Sequence, residues 1–464
     1  MIKRILCLAT ALAALVGATH AATYWDLVMI TAVYSTLGPN ATGWGPVTSH
    51  LPNTAMAISD AGSLMVWGLR AHGLPGNGQE VVPAKDPPTQ IWLPNDKRSA
   101  ADRRRVVKVA GVGIDNNTTD NQHAGVAALS DDGYVYTWGG RNTNHMMGRE
   151  TTAINSQWWV PGRVAIAGKV VDLVSSAGVF MALTENGDLY TWGWAQGYGA
   201  AGQSGTDLDY SSYEPEKILD GVHSIHAGLW NGWAVRGNYS KSDNSTGVFW
   251  WGRADRGAAG DPSGDAKFAT RGVPTRSKTL SKFATSGCDT PGVVAASNRD
   301  TCTIQQLTGH AYGSQLRLVD GSVYTWGDQA HFGTGRTGDA TAPEQLDVLA
   351  RNVQSARDYV FLEGVDGWAY LYGWYGTSTG PDPATGAAAT AGIRRPTRFK
   401  ALGRDWVAAG LHGNSGHVRR TDGKWVSWGG SVAAPPANNT YSVVPHAATT
   451  APAPLTVWST PGIA

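Results

Sequence analysis

Residues 186–193 read NGDLYTWG and residues 320–327 read DGSVYTWG, and the same phrase returns with variations along the chain. The copies are SDAGSLMVWG (59–68), SDDGYVYTWG (130–139), TENGDLYTWG (184–193), STGVFWWG (245–252), LVDGSVYTWG (318–327), GVDGWAYLYG (364–373) and RTDGKWVSWG (420–429). Their penultimate aromatics are Trp67, Trp138, Trp192, Trp251, Trp326, Tyr372 and Trp428, at intervals of 71, 54, 59, 75, 46 and 56 residues. A period of this length belongs to solenoids and propellers, in which one repeat cannot bury its apolar face without a neighbour.

The chemistry of a single copy selects between them. The run Leu189, Tyr190, Thr191, Trp192 suits a strand with two different faces, and Asn186-Gly187 or Asp422-Gly423 ahead of it supply the positive φ of a tight hairpin turn. A short apolar strand precedes each turn, as at 126–129 and 180–183, and another lies earlier still, as at 171–174 and 222–225. After the aromatic-Gly pair comes a Gly-rich loop, then a Pro with an apolar residue three positions on: Pro161 with Val164, Pro215 with Ile218, Pro343 with Leu346, Pro396 with Phe399. About four strands per repeat and almost no helical periodicity predict an all-β, seven-bladed β-propeller. The seven aromatics are then structural wedges between sheets, each with a Gly beside it where backbones approach closely. Residues 24–68 and 430–458 each hold strands that the other end lacks, so they are expected to share one blade and close the ring without a free edge.

The chain opens with Lys3 and Arg4, an apolar run from Ile5 to Ala18 and small residues near Ala21, the layout of a secretory signal peptide. Residues 1–21 are read as that signal and 22–464 as one propeller domain, secreted or periplasmic, monomeric and not inserted in a membrane after cleavage. Loss of Lys3 and Arg4 leaves 35 Lys+Arg against 36 Asp+Glu, a balance that gives no electrostatic case for nucleic acid or an anionic membrane. Cys288 and Cys302 remain, and an oxidising compartment favours their pairing as a disulfide. The alternative, a metal site, is weak by spacing: two thiols without a second pair or a His at finger spacing make no zinc signature.

The small-apolar strand, Asp-Gly, Val-Tyr-Thr-Trp-Gly, Gly-rich loop and Pro-x-x-Val resemble the regulator of chromosome condensation repeat family, best at 126–148, 180–203 and 314–335. The fourth copy departs through a long turn, 236–246, and the sixth carries Tyr372 in place of Trp. The resemblance implies a seven-bladed propeller. Nuclear members of that family exchange guanine nucleotides on a small GTPase and dock on nucleosomes, an activity at odds with a signal peptide and near-neutral charge; the triplet Arg103-Arg104-Arg105 reads as a solvated loop. Exported bacterial members fit the address better, one type being a secreted inhibitor of β-lactamase that presents its loop-rich face.

No enzyme signature has its required context. Gly202-Gln203-Ser204-Gly205 misses the nucleophile-elbow spacing, and the Gly-rich loops lead into Pro strands instead of phosphate-binding helices. DNNTTD at 115–120 lacks the Gly and final Glu of a calcium loop. No catalytic residue, metal or cofactor is therefore assigned. What stands out is a second set of aromatics: Trp194, Trp374 and Tyr375 directly after aromatic-Gly pairs, Trp158 and Trp159 before a Pro strand, Trp230 and Trp233 before a strand. Equivalent loops emerge on one face of a propeller, so these residues are expected to form an aromatic rim that binds a protein or a glycan; packing beneath their own loops is the alternative. A non-enzymatic extracytoplasmic binding propeller is the leading reading, and a hydrolase or lyase at the channel mouth the other.

The signal-peptide reading is checked by mass analysis of the exported protein. A mature N-terminus at Ala22 is expected, and an intact Met1 would remove the export assignment.

Overall fold

The computed structural model describes residues between 44 and 428, apart from connecting segments of which 77–88, 95–103, 114–123, 262–269 and 374–381 are the longest. Residues 1–21, read above as a signal peptide, Trp374, Tyr375, residues 430–458 and the side chains of Trp67 and Trp428 lie outside the described residues. Within them the chain is β-structure joined by turns, with one-turn 3-10 helices at Ser156–Trp159 and Leu280–Phe283 and no α-helix. No helix among the described residues is long and apolar enough to cross a membrane.

The strands run as successive antiparallel meanders, lettered here A (44–91), B (106–163), C (170–219), D (224–277), E (304–345), F (350–398) and G (406–428). Six have four strands and G has three described ones; D and E are joined by a short parallel contact in which Ala227 faces Thr308 and Gly228 faces Gly309. Sheet C shows the plan. Its strands are Val170–Ser175, Val179–Thr184, Leu189–Gly193 and Ser212–Leu219, with Phe180 opposite Trp192 and Ala182 opposite Tyr190. Its first three strands are mostly buried, while the Pro-containing fourth is half-exposed, as a strand that cannot donate from every backbone position should be. The hairpin between its second and third strands turns on Gly187 at φ +84°, as the Asn-Gly signal predicted.

Sheet A corrects one expectation. Its four strands, Trp44–Pro46, Thr54–Ser59, Leu64–Gly68 and Thr89–Ile91, all come from the N-terminal part of the chain. The outer strand that was assigned to the C-terminus is supplied by Thr89–Ile91, which pairs with Leu64–Gly68. The first strand, Trp44–Pro46, lies beside Trp406–His412 and Ser415–Arg420 of sheet G.

The core is a series of interfaces between consecutive sheets. One apolar cluster joins Val66 and Leu74 of A to Val126 and Trp138 of B, the next joins B to C around Phe180 and Trp192, and the pattern continues to Phe361 and Trp406 between F and G. Among the described residues, the interfaces that carry Trp138, Trp192, Trp251, Trp326 and Tyr372 are closed by an aromatic wedge packed on the loop of the preceding sheet. Trp138, Trp251 and Trp326 are fully buried, and their indole N–H groups donate to the carbonyls of Leu74, Ala200 and Ala258 at 3.0, 2.9 and 2.9 Å. Two residues beyond each acceptor stands a Gly pressed against the ring. At Gly260, with φ +67°, an added Cβ would lie 2.7 Å from Trp326 Nε1; Gly76, Gly148, Gly202 and Gly333 stand in the same relation to Trp138, Trp192, Trp251 and Tyr372. The Gly that follows the wedge has a different reason: a Cβ on Gly327 would meet Tyr312 O at 2.3 Å, in the turn of its own sheet. The aromatic thus packs on the sheet before it, and its Gly on the sheet that carries it.

The keyed contact predicts the cost of a methyl group. Gly338 also has positive φ (+95°) but nothing within 4 Å of a Cβ, so Gly338→Ala should cost only the left-handed penalty, about 1 kcal/mol. Gly260→Ala should cost about 1–3 kcal/mol more through overpacking against Trp326. Denaturant midpoints of the two variants measure the difference.

Candidate functional site

The turns between first and second strands, and the loops after the aromatic-Gly pairs, emerge at one end of the sheets. Here sheets C, D and E are tied by their backbones, Ala177 N donating to Leu229 O at 2.7 Å and Leu229 N to Gly309 O at 3.0 Å. On this base stand Tyr198 from the loop of C, Trp230 and Arg253 from D, and Tyr312 from the turn of E, all half-buried. The rings of Tyr198 and Trp230 lie 5.1 Å apart, and the Arg253 guanidinium stands 5.0 Å from the Tyr198 centroid and 5.2 Å from that of Tyr312. Such separations are those of cation–π contacts. Arg253 is positioned by its own backbone: its N–H donates to Trp230 O at 3.1 Å and the Asn231 side-chain amide donates to its carbonyl. Gly252 makes this approach possible, because a Cβ there would lie 2.2 Å from Trp230 O. The result is a preorganised platform of three aromatic faces and one cation, a surface suited to flat apolar or anionic groups.

The aromatics expected at a rim divide. Trp230 joins the platform. Trp233 does not: it lies inside the strand Asn231–Arg236, is fully buried, and its ring edge fills the space over Gly228 and Gly309. It was placed ahead of a strand because the strand begins at Asn231, ahead of the apolar pair Ala234-Val235. Trp158 and Trp194 are half-buried and pack on the cluster between sheets B and C that contains Trp192; Trp158 also meets Trp159 edge-on at 4.6 Å. These rings are thus partly packed on the sheet interface and partly exposed. Arg104 is likewise not a solvated loop residue, since it pairs with Asp132 at 2.9 Å and donates to Pro94 O. Tyr198, Arg253 and Tyr312 were not foreseen. Two carried a signal: Arg253 follows Trp251-Gly252 as Trp194 follows Trp192-Gly193, and Tyr312 sits in a turn equivalent to that of Trp230.

A second concentration of polar groups lies where the first strands converge. Lys108 of B pairs with Asp172 of C, both buried. Burial pushes the Asp172 carboxyl up, and the Lys108 ammonium and two backbone contacts oppose that push. Gln306 of E donates to Val353 O of F at 2.6 Å and accepts from Val353 N at 3.0 Å, and Gln354 of F donates to Ala409 O of G at 3.1 Å. These side chains bridge first strands that lack a ladder between them, satisfying backbone groups that burial would otherwise leave costly. Glu363, raised by burial and held by Arg351, Asn352 and Gln354, belongs to the same network. His226 accepts from Leu307 N through Nδ1 at 3.2 Å, which leaves its proton on Nε2 facing Ser224 Oγ. Among the described residues these groups bind one another and the backbone, the behaviour of a structural network and not of an open catalytic set.

At the opposite end the longest interval, between Trp251 and Trp326, sends a segment back over sheets C and D: Gly292 N and Val293 N donate to Val222 O and His223 O at 2.9 and 2.7 Å. Cys288 and Cys302 form the expected disulfide within it. His223 reaches into this segment, with Nδ1 2.6 Å from Thr290 O and Nε2 3.0 Å from Asp300 Oδ1.

His226 gives the network a pH signature. Burial, reinforced by Lys108, His223 and Arg317 nearby, holds its imidazole down to about 3. The unfolded chain takes up that proton below about 6.5 while the folded chain does not, so stability present above 6.5 is lost as pH falls toward 3. His226→Gln keeps one donor and one acceptor and removes the titration. Between pH 7 and pH 5 the native protein should lose about 2 kcal/mol relative to this variant in urea unfolding, following roughly 1.4 kcal/mol per pH unit below 6.5.

Compared with solved structures, the chain is similar to human WBSCR16, at 18% identity and TM-score 0.57 over 79% of this chain and 83% of that one. It is similar to Prp20p from Saccharomyces cerevisiae, a protein described with its binding properties to Gsp1p and histones, at 19% identity and TM-score 0.55 over 78% of each chain. A third likeness is to yeast RCC1 (Prp20) bound to Kap60, at 16% identity and TM-score 0.55 over 82% of each. No protein-family model and no curated protein matches the chain. At these identities the likeness is one of fold: the chain has an RCC1-like β-propeller fold.

Proposed function

We propose that this chain is a closed, seven-bladed propeller of regulator of chromosome condensation type, exported and monomeric. It acts as a non-enzymatic binding protein for a protein or glycan. The observation that carries the binding role is the platform of Tyr198, Trp230, Arg253 and Tyr312, contributed by three consecutive sheets and fixed by backbone hydrogen bonds between them. Rigid aromatics with a stacked guanidinium offer large contact area at small entropic cost, the composition of binding hot spots. Ring closure is supported by the approach of Trp44–Pro46 to sheet G, and the extracytoplasmic setting by the N-terminal sequence and the disulfide. That Prp20p binds Gsp1p and histones and is bound to Kap60 is consistent with propellers of this shape serving as protein-binding surfaces. Guanine nucleotide exchange is disfavoured by the signal peptide and the charge balance. A hydrolase or lyase would need carboxylates or histidines open at a channel mouth, whereas Asp172, His223 and Glu363 are buried among protein partners.

The test uses Tyr198→Ala/Tyr312→Ala beside the native protein, both in affinity capture from the producing cell's envelope and medium and on a glycan array. The half-buried rings should be removable with a small change in melting temperature, while affinity for the captured ligand falls by about 2 kcal/mol or more. Equal affinity of both proteins for that ligand would move the binding surface elsewhere.

A further inference from the structure

The group formed by His223, Asp300, Cys302 and Cys288 is absorbed neither by the binding platform nor by the polar network where the first strands converge. All four residues are buried, and the ligand-capable atoms of His223, Asp300 and Cys302 lie within 4.8 Å of one another. Cys288 is bonded to Cys302, so a second sulfur stands beside that group, outside its 4.8 Å limit. No spacing rule finds this set, because His223 and Asp300 are 77 residues apart.

Its surroundings have the form of a metal-ligand shell. His223 Nδ1 faces the Thr290 carbonyl, the contact that fixes a ligating imidazole in one tautomer, and Nε2 meets Asp300 Oδ1 at 3.0 Å, the pair between which a cation would be inserted. The Asp300 carboxylate is oriented by two backbone donors, Cys302 N to Oδ1 and Ala296 N to Oδ2, both at 3.0 Å. Ala296 adopts φ +57°, the one positive φ at a non-Gly position among the described residues, and so aims its amide at that carboxylate. The sulfurs do not rely on their own bond for position: Thr303 N donates to Ser286 O at 3.0 Å, Cys288 N to Asn238 Oδ1 at 3.0 Å, and Val293 N to His223 O at 2.7 Å.

We propose that, when the Cys288–Cys302 bond is reduced, this chain binds one zinc-class divalent cation through His223 Nε2, Asp300 Oδ1 and the two cysteine sulfurs. Disulfide and metal are alternative occupants of one buried position. One nitrogen, one oxygen and two sulfurs make a closed tetrahedral set in which ligand atoms lie about 3.3–3.8 Å apart. The ligand atoms of His223, Asp300 and Cys302 already lie within 4.8 Å of one another, and reduction releases the Cys288 sulfur from its bond to Cys302 to move outward to that spacing. The chemistry balances with a phosphine reductant: the S–S bond accepts two electrons, two thiols form with protons from water, and the phosphine leaves as its oxide. The metal then displaces both thiol protons to solvent.

The test reduces the full-length protein anaerobically with a water-soluble phosphine, removes the reagent and titrates with Co2+ while near-UV circular dichroism reports the fold. Reduced native protein should take up a single equivalent with the intense visible bands of tetrahedral cobalt and thiolate-to-metal charge transfer, all discharged by Zn2+. The oxidised protein should show neither. His223→Gln and Asp300→Asn, each folded when oxidised, should weaken Co2+ binding about tenfold or more once reduced. The inference is overturned if reduced, folded protein gives no tetrahedral thiolate spectrum, if the two variants bind as tightly as the native chain, or if the reduced protein loses its fold and does not recover it with Zn2+.

Discussion

A buried indole reaching back to the loop of the preceding sheet is the contact on which the remaining architecture rests. A flat meander buries only what its neighbours cover, so sheets arranged about an axis must fill the wedge that widens away from it. Trp138, Trp251 and Trp326 fill it, and their N–H groups fix depth and orientation by bonding to Leu74 O, Ala200 O and Ala258 O. The glycine two residues past each acceptor removes the Cβ that would hold the ring off. Register between sheets is thereby set by directional hydrogen bonds as well as by apolar packing, which alone is non-directional. Variation on the theme is tolerated: the Trp192 N–H has no partner, and Tyr372 meets Thr325 Oγ1 at 3.5 Å in place of a loop carbonyl.

With the outer wedge filled by indoles, the inner strands are stitched by polar side chains, and the two ends are left to vary. At one end, turns that must stay close to an aromatic-Gly pair carry Trp230 and Tyr312, and the residue after the pair is drawn to the turn by its own N–H, as Arg253 and Asp328 both are. Side chains at those places are displayed on a rigid base without contributing to sheet register, which leaves them free to serve recognition. At the other end a disulfide-stapled segment is laid over sheets C and D and meets His223 and Asp172.

Local chemistry made the repeats legible. Asn186-Gly187, the alternation through Trp192 and the trailing Pro215 each name a strand or turn without outside help, and the wedge role of Trp138, Trp192, Trp251, Trp326 and Tyr372 follows from recurrence alone. What joins sheets was not legible. Trp233 and Trp230 stand three residues apart in one short stretch, yet one is core and the other surface, because strand register and not composition decides which way a ring points. The outer strand of sheet A, Thr89–Ile91, carries the same Pro signal as the others, Pro88 with Ile91, but it was overlooked and the strand was sought at the other end of the chain. The partnership of His223 with Asp300 spans a segment whose return path has no periodicity to read.

The keyed indole is tested most directly by a double-mutant cycle of unfolding free energies on Gly260 and Trp326. If the glycine exists to admit the ring, Gly260→Ala should be costly in the native background and fall to the left-handed penalty of about 1 kcal/mol once Trp326→Leu has vacated the contact, a coupling of about 1 kcal/mol or more. An equal cost for Gly260→Ala in both backgrounds would contradict it and leave the aromatic as ordinary apolar filling.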